Sequence, residues 1–531
     1  MELVSLKFVL FLASLVCVYY VVGRFAPKYQ WCVLLAGSLA FYAIVGSPPT
    51  LLLLLLIAGV TWGASVKLAD LHAEDKAARK QAKGRDAKKE VHRAYTRKRR
   101  IVFYAALVLC LGVLCYFKYW NVLLYYVGAA QTTFSLGILL PLGLSFYLFQ
   151  SLGHLIDAYN AKYEPQRNFA RYLLFVSYFP QIIQGPINRY DQLGEQLFAA
   201  HHANGYHIER GLLRMGLGLL KKAAIANVLA NAVSTVFNTA AGPNIPGSLA
   251  LYGVIVYSIQ MYTDFSGGID IVEGASELFG IEMAPNFRQP YFSTSLAEFW
   301  RRWHMSLGAW MRDYVFYPLA VTSPSRRFGK WARKHLGKHV GRTLPACAAN
   351  IIVFFLVGLW HGAEFHFIAW GLYNGIVVAL SDLCTPLFDR LVSITHVRRE
   401  SVGFRLFSIV RTFGIVCIGR FFDCFSHVGD AFFAMRNVFT NFGTSSLADT
   451  LTTYGATYGS KLGFPRPVIV ACVILLGIDI AYELGVDVRT TVMGWKLPVR
   501  VAFYTAFIFI VGLASTFDTT GGGGGFLYAN F

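Results

Sequence analysis

Apolar positions in this chain gather into runs instead of alternating stripes. "LVSLKFVLFLASLVCVYYVV" (3–22) and "IVFYAALVLCLGVLCYFKYW" (101–120) are each 20 residues long with one charged residue apiece. A helix rises 1.5 Å per residue, so about 20 such residues cross a hydrocarbon layer of roughly 30 Å. Further apolar runs occupy about 31–46, 50–66, 134–158, 466–483 and 499–517, and helical patterns cover about 209–238 and 249–275. These elements predict an all-α fold, a polytopic transmembrane helical bundle. The first run has no cleavage-site pattern and is soon followed by others, so it reads as a retained helix.

Two places interrupt the pattern. In "RYLLFVSYFPQIIQGPINRYDQL" (171–193), Pro180, Gly185 and Pro186 break an apolar helix. Broken backbone at membrane depth needs protein or a watery cavity to satisfy it, which predicts a re-entrant element. In "FFLVGLWHGAEFHFIAWGLYNG" (354–375), Trp360, His361, Glu364 and His366 stand inside an otherwise apolar run. Basic stretches flank this second place, so 346–360 and 366–383 predict a hairpin. Each arm is short for a full crossing, which puts His361 at membrane depth near the turn, and Gly362 and Ala363 leave room beside it.

Composition agrees with a membrane protein: of 531 residues 55% are hydrophobic and 15% charged, more apolar side chain than a soluble chain can cover. The net charge of +19 is concentrated, with 13 Lys/Arg against 5 Asp/Glu in 67–100 and 7 basic residues without an acid in 325–342. Basic loops stay in the cytoplasm. Three spans precede the first loop, which places the N-terminus outside. The same charge would attract anionic headgroups or a CoA ester, whereas nothing suggests a nucleic-acid-binding fold. The nine cysteines form no CxxC or zinc-like spacing and read as small apolar packers.

"STSLAEFWRRWHMSLGAWMRDYVFYPL" (293–319) is the other stretch rich in chemistry. Ser295 and Glu298 fit a capping box opening a helix that runs toward Pro318. On it Glu298 pairs with Arg302, Trp300 shares a face with His304, and Phe299 with Trp303. An interfacial Trp/Arg belt gives the same pattern. Arg301 and Arg302 would keep His304 neutral. In "QMYTDFSGGIDI" (260–271), Asp264 and Asp270 imply a solvated cavity or pairing with arginines of the 298–313 helix. His154 and Asp157, three apart, suggest a structural pair. His361 and His366 lie five apart, off one helical face, so no metal is expected. Ser145 and Ser266 lack GxSxG flanks, which argues against a covalent serine intermediate. Desolvation would hold His361 neutral and able to accept a proton; a structural histidine bonded across helices remains the alternative.

Taken together, "LPLGLSFYLFQSLGHLIDAY", "YFPQIIQGPI", "YTDFSGGIDI", "PNFRQPYFSTSLAEFWRRWHMSLGAWMRDYVFYPL" and "GLWHGAEFHFIAWGLYNG" resemble the membrane-bound O-acyltransferase (MBOAT) family, in particular its alginate O-acetylation type. The likeness covers roughly 135–385. It implies re-entrant elements around a central funnel, His361 as catalytic base and His304 as its companion. His304, Trp360 or Asn374 would supply a donor to the carbonyl oxyanion, with Arg301, Trp303, Asp264 and Asp313 as further substrate-binding candidates. "IGRFFDCFSHVGDAFFAMRNVF" (418–439) departs from the family by carrying Asp423-Cys424 where Arg-Ala is usual.

The resemblance divides the chain into N-terminal helices (1–66), a basic cytoplasmic loop (67–100), a catalytic core (101–385) and C-terminal helices (386–531) with an external loop near 430–465. The expected activity is transfer of an acyl group, acetyl first, from a cytoplasmic thioester such as acetyl-CoA for O-acetylation of a cell-surface or extracellular polysaccharide. No bound cofactor is expected. An extracellular or periplasmic acyltransferase partner and a plasma-membrane location are. The alternatives are the membrane subunit for D-alanylation of teichoic acid and a lipid-linked sugar transporter, although no internal repeat favours the latter. The glycine tract in 519–531 carries no assignable chemistry.

Overall fold

The computed structural model describes residues 3–46, 48–126, 143–238, 242–443, 447–457 and 463–517. Among them all regular structure is helical. Among the described residues seven helices are long and apolar enough to cross a membrane, or eight if the bent pair Phe365–Leu383 and Thr385–Thr395 counts as one span. The protein is therefore a multi-pass membrane protein. Residues 134–142 of one predicted span, parts of 430–465 and the whole C-terminal glycine tract lie outside the described residues.

The chain packs as two units, Met1–Leu212 with Val272–Ala284, and Leu213–Ile271 with Pro285–Phe531. In the first unit, Leu6–Phe25 starts where Ser5 Oγ accepts from Phe8 N at 3.2 Å, satisfying one of the amides that a helix start leaves open. The basic segment 67–100 is not a loop. Its charges ride on the ends of two long helices, Pro48–Gln81 and Arg85–Tyr126. Lys and Arg are good helix formers, so the helices continue past the apolar part. Buried Asp75 clasps the two, at 3.1 Å from Arg99 and 2.8 Å from His92.

Backbone breaks in 171–193 appear as expected: Phe169–Ser177, Phe179–Gln184 and Tyr190–Phe198 are separate helices. His154 and Asp157 do not pair. His154 Nδ1 meets Tyr163 OH at 3.0 Å, and Asp157 takes Lys162 at 3.4 Å.

In the second unit, Lys338–His361 and Phe365–Leu383 form the predicted hairpin. The first arm is longer than the sequence suggested, 24 residues, because the helix begins within the basic stretch. At 1.5 Å per residue His361 stands about 28 Å along the axis from Arg342, at the end of that helix where the chain turns. The arms touch through glycines: a Cβ on Gly371 would strike the Phe354 carbonyl, and one on Gly358 the Phe367 carbonyl. On the Cβ side of Gly362 the Phe367 ring and the Glu364 carboxylate fill the space. The 430–465 region holds two helices, Val428–Thr440 and Leu447–Thr457.

Candidate functional site

The segment 293–319 opens as predicted and then departs. Ser295 Oγ accepts from Glu298 N at 3.1 Å. Glu298 reaches back to Thr294, accepting from its N at 2.9 Å and its Oγ1 at 2.7 Å. It also pairs with Arg302 at 2.6 Å, and Arg302 holds Glu483 at 2.7 Å. The helix then stops. Leu296–Arg302 ends, Trp303 is extended, and Met305–Met311 starts a new helix, followed by the wide turn Arg312–Phe316.

His304 is the hinge of that break, with φ +46 and ψ 53. This left-handed conformation is uncommon for a residue with a Cβ and persists only where the surroundings enforce it. Asn286 and Arg288 enforce it. Met305 N donates to Asn286 O at 2.9 Å and Arg288 N to Arg302 O at 3.0 Å. The break removes His304 from the face of Trp300. Phe299 and Trp303 do stack, with centroids 5.4 Å apart.

His304 is buried, its Nδ1 3.0 Å from Asn286 Oδ1 and its ring edge-on to Phe265 at 4.9 Å. Neither short helix around it can span a membrane. Burial pushes its imidazole down to about 3, so it is neutral near pH 7. Desolvation sets this state, not the arginines the sequence reading invoked. His361 is half-buried at the hairpin turn among aromatic rings, 5.0 Å from Trp360 and 5.1 Å from Trp370.

Both histidines line one cavity of about 540 Å³. Exposed Arg301 and Arg312 also border it, while Trp300, Trp303, Phe354 and Trp370 form apolar wall. Such a space is of the size and polarity that binds small ligands: mostly apolar, with a few charged groups.

Other candidates stand elsewhere. Asn374 is buried behind the wall, accepting from Trp300 Nε1 at 3.2 Å and donating to Trp370 O at 2.8 Å. Trp360 is buried between the histidines, its ring 6.4 Å from His304. Asp264 is buried against Lys222 at 2.6 Å, and Asp270 pairs with Lys221 at 2.7 Å and Arg214 at 3.2 Å. The carboxylates thus take lysines and Arg214 in place of the predicted arginines of 298–313. Asp313 pairs with Arg312 at 2.9 Å.

The sequence reading missed Arg420. It lines the cavity beside Asp423, bound to it at 3.0 Å, with its guanidinium 4.9 Å from the Trp303 ring centre. The departure at Asp423-Cys424 was the signal that pointed there. Among the described residues no group of three His, Cys, Asp or Glu side chains is disposed to hold a metal.

The sequence profile of MBOAT, the membrane-bound O-acyltransferase family, matches residues 101–422. The chain is similar to a probable alginate O-acetylase, AlgI, of Pseudomonas putida, 36% identical over 276 residues, 51% of this chain and 53% of the relative. A peptidoglycan O-acetyltransferase of Helicobacter pylori is 31% identical over 272 residues, 46% of this chain and 48% of the relative. A teichoic acid D-alanyltransferase of Bacillus subtilis is 28% identical over 282 residues, 52% of this chain and 67% of the relative. The chain spans about half the length of the first two of these relatives.

Proposed function

The chain belongs to the membrane-bound O-acyltransferase family, and from that premise we propose that it moves an acetyl group from a cytoplasmic thioester, acetyl-CoA by preference, for O-acetylation of a cell-surface or extracellular polysaccharide. The observation that carries this reading is that His304 and His361, far apart in sequence, line one cavity with arginines beside it. Acyl transfer needs a base for the attacking hydroxyl and charge stabilisation for the carbonyl oxygen. His361 takes the hydroxyl proton. Arg301 and Arg312 attract the anionic part of the donor. The aromatic wall excludes water, so the thioester meets the acceptor and not hydrolysis.

The protein works in the plasma membrane with an external acyltransferase partner that completes delivery to the polysaccharide. Its basic ends near Lys83 and Lys334 face the cytoplasm and its N-terminus faces out. D-alanyl transfer is the second reading, favoured by the likeness to the Bacillus subtilis relative.

Purified protein given labelled acetyl-CoA or a D-alanyl-loaded carrier protein, with and without the external partner, separates the two. Acetyl transfer is the expected result. Transfer from neither donor would remove the enzymatic reading. Single cysteines at Lys83 and Lys334 should resist a membrane-impermeant thiol reagent in intact cells, and labelling of both would overturn the topology.

A further inference from the structure

The "PNFRQP" segment (285–290) lies within the residues the family profile matches, yet nothing so far gives its asparagine a chemical task. Asn286 is buried. Its Oδ1 faces three groups: Ser306 N at 3.2 Å, Ser306 Oγ at 2.8 Å and His304 Nδ1 at 3.0 Å. A backbone N–H can only donate, so the atom facing Ser306 N is the amide oxygen and not the amide nitrogen. An oxygen can only accept. His304 Nδ1 therefore carries the ring proton, and in the neutral ring Nε2 is the basic nitrogen. Asn286 Nδ2 has no hydrogen-bond partner among the described residues, so the side chain is held there through its oxygen.

We propose that Asn286 is the positioning residue for His304: it fixes the Nδ1–H tautomer and the ring orientation, so that Nε2 meets substrate as a hydrogen-bond acceptor. Within the acyl-transfer reading on which this rests, His361 takes the proton of the attacking hydroxyl, and His304 Nε2 accepts a hydrogen bond from a different N–H or O–H of the bound substrate, because a hydroxyl has one proton to give. A neutral His304 in this tautomer cannot donate through Nε2 to the carbonyl oxygen, which removes the oxyanion-donor role that the resemblance offered it. The left-handed backbone at His304 is held separately, by main-chain bonds from Met305 N to Asn286 O and from Arg288 N to Arg302 O.

The test has one arm independent of activity. Full-length protein in lipid, labelled with 15N-histidine and assigned by the signal lost in His304→Gln, should show a protonated Nδ1 and an unprotonated Nε2 at His304. A protonated Nε2 overturns the proposal whether or not the protein transfers acetyl groups.

The second arm is kinetic. Asn286→Asp keeps the accepting oxygen and should retain activity within about threefold, whereas Asn286→Leu should lower kcat at least about tenfold with little change in KM. The carboxylate of Asn286→Asp also stabilises imidazolium, so the His304 titration followed in the 15N spectrum should move to higher pH than in the wild type. Arg301 and Arg312 at the cavity edge, Arg420 with Asp423, His361, and Asp264 with Lys222 beside Phe265 are the other charged or titratable groups around His304. They are the same in every variant. If Asn286→Asp is as impaired as Asn286→Leu and the His304 titration does not move, the asparagine is only structural and the proposal fails.

Discussion

The two histidines of the cavity sit at two kinds of helix end. His361 closes the 24-residue helix Lys338–His361, half-buried and surrounded by rings. His304 sits in a left-handed break between two seven-residue helices, buried and tied to Asn286. One imidazole is accessible, and the other is fixed. A base that meets an incoming hydroxyl needs access. A group that orients substrate needs a fixed direction more than exposure. Under the proposed function, the difference in surroundings suits two residues of the same type to different work.

The largest expected effect tests the accessible partner. His361→Ala and His361→Gln should each lower turnover by about 10²–10⁴-fold, the usual cost of removing a general base, with insertion and yield in the membrane unchanged. Turnover above a tenth of wild type would end the base assignment.

The fixed partner should be more tolerant. His304→Gln retains an accepting oxygen and should keep measurable activity, while His304→Ala should lose most of it. Equal loss in His304→Gln and His361→Gln, with both proteins folded, would mean that the two share the proton chemistry.

A pH profile sharpens the same division. Burial holds His304 at about 3, so it begins to protonate only as pH falls toward that value and stays neutral between pH 5 and 8. The acid limb of the wild-type profile in that range then belongs to another group, and His304→Gln should leave it in place. A limb that disappears in His304→Gln would place the titration on His304.

The smallest effect concerns the wall they share. Trp300 sits 5.5 Å from Trp370, which packs on His361, and its indole N–H binds Asn374. Trp300→Phe keeps the ring but leaves buried Asn374 Oδ1 without that donor, costing about 1–3 kcal/mol of stability. The melting temperature should fall, with only a few-fold loss of activity. A loss as large as that of His304→Ala would move Trp300 from the wall to the chemistry.

Much of this was legible in order along the chain. Helix-length apolar runs, the hairpin around His361, the breaks at Pro180 and Pro186, and the Ser295 cap all rest on local rules of hydrophobic length, turn residues and capping. The misses share a cause as well. The 67–100 segment looked like a loop because its apolar period ends, yet its residues propagate helix well. The helix through 293–319 looked continuous because no proline or glycine marks Trp303–His304.

What the sequence by itself determined is the membrane class, the family and the pair of histidines, because these depend on composition and on residues in a fixed order. Tertiary structure alone decided that Asp264 and Asp270 take Lys222, Lys221 and Arg214, that Asn374 supports a wall, that Arg420 borders the cavity, and that Asn286 breaks the helix at His304. Each of these depends on which distant side chain arrives at hydrogen-bonding distance. Local propensity carries no information about that, because the helix period constrains only neighbours three or four residues away.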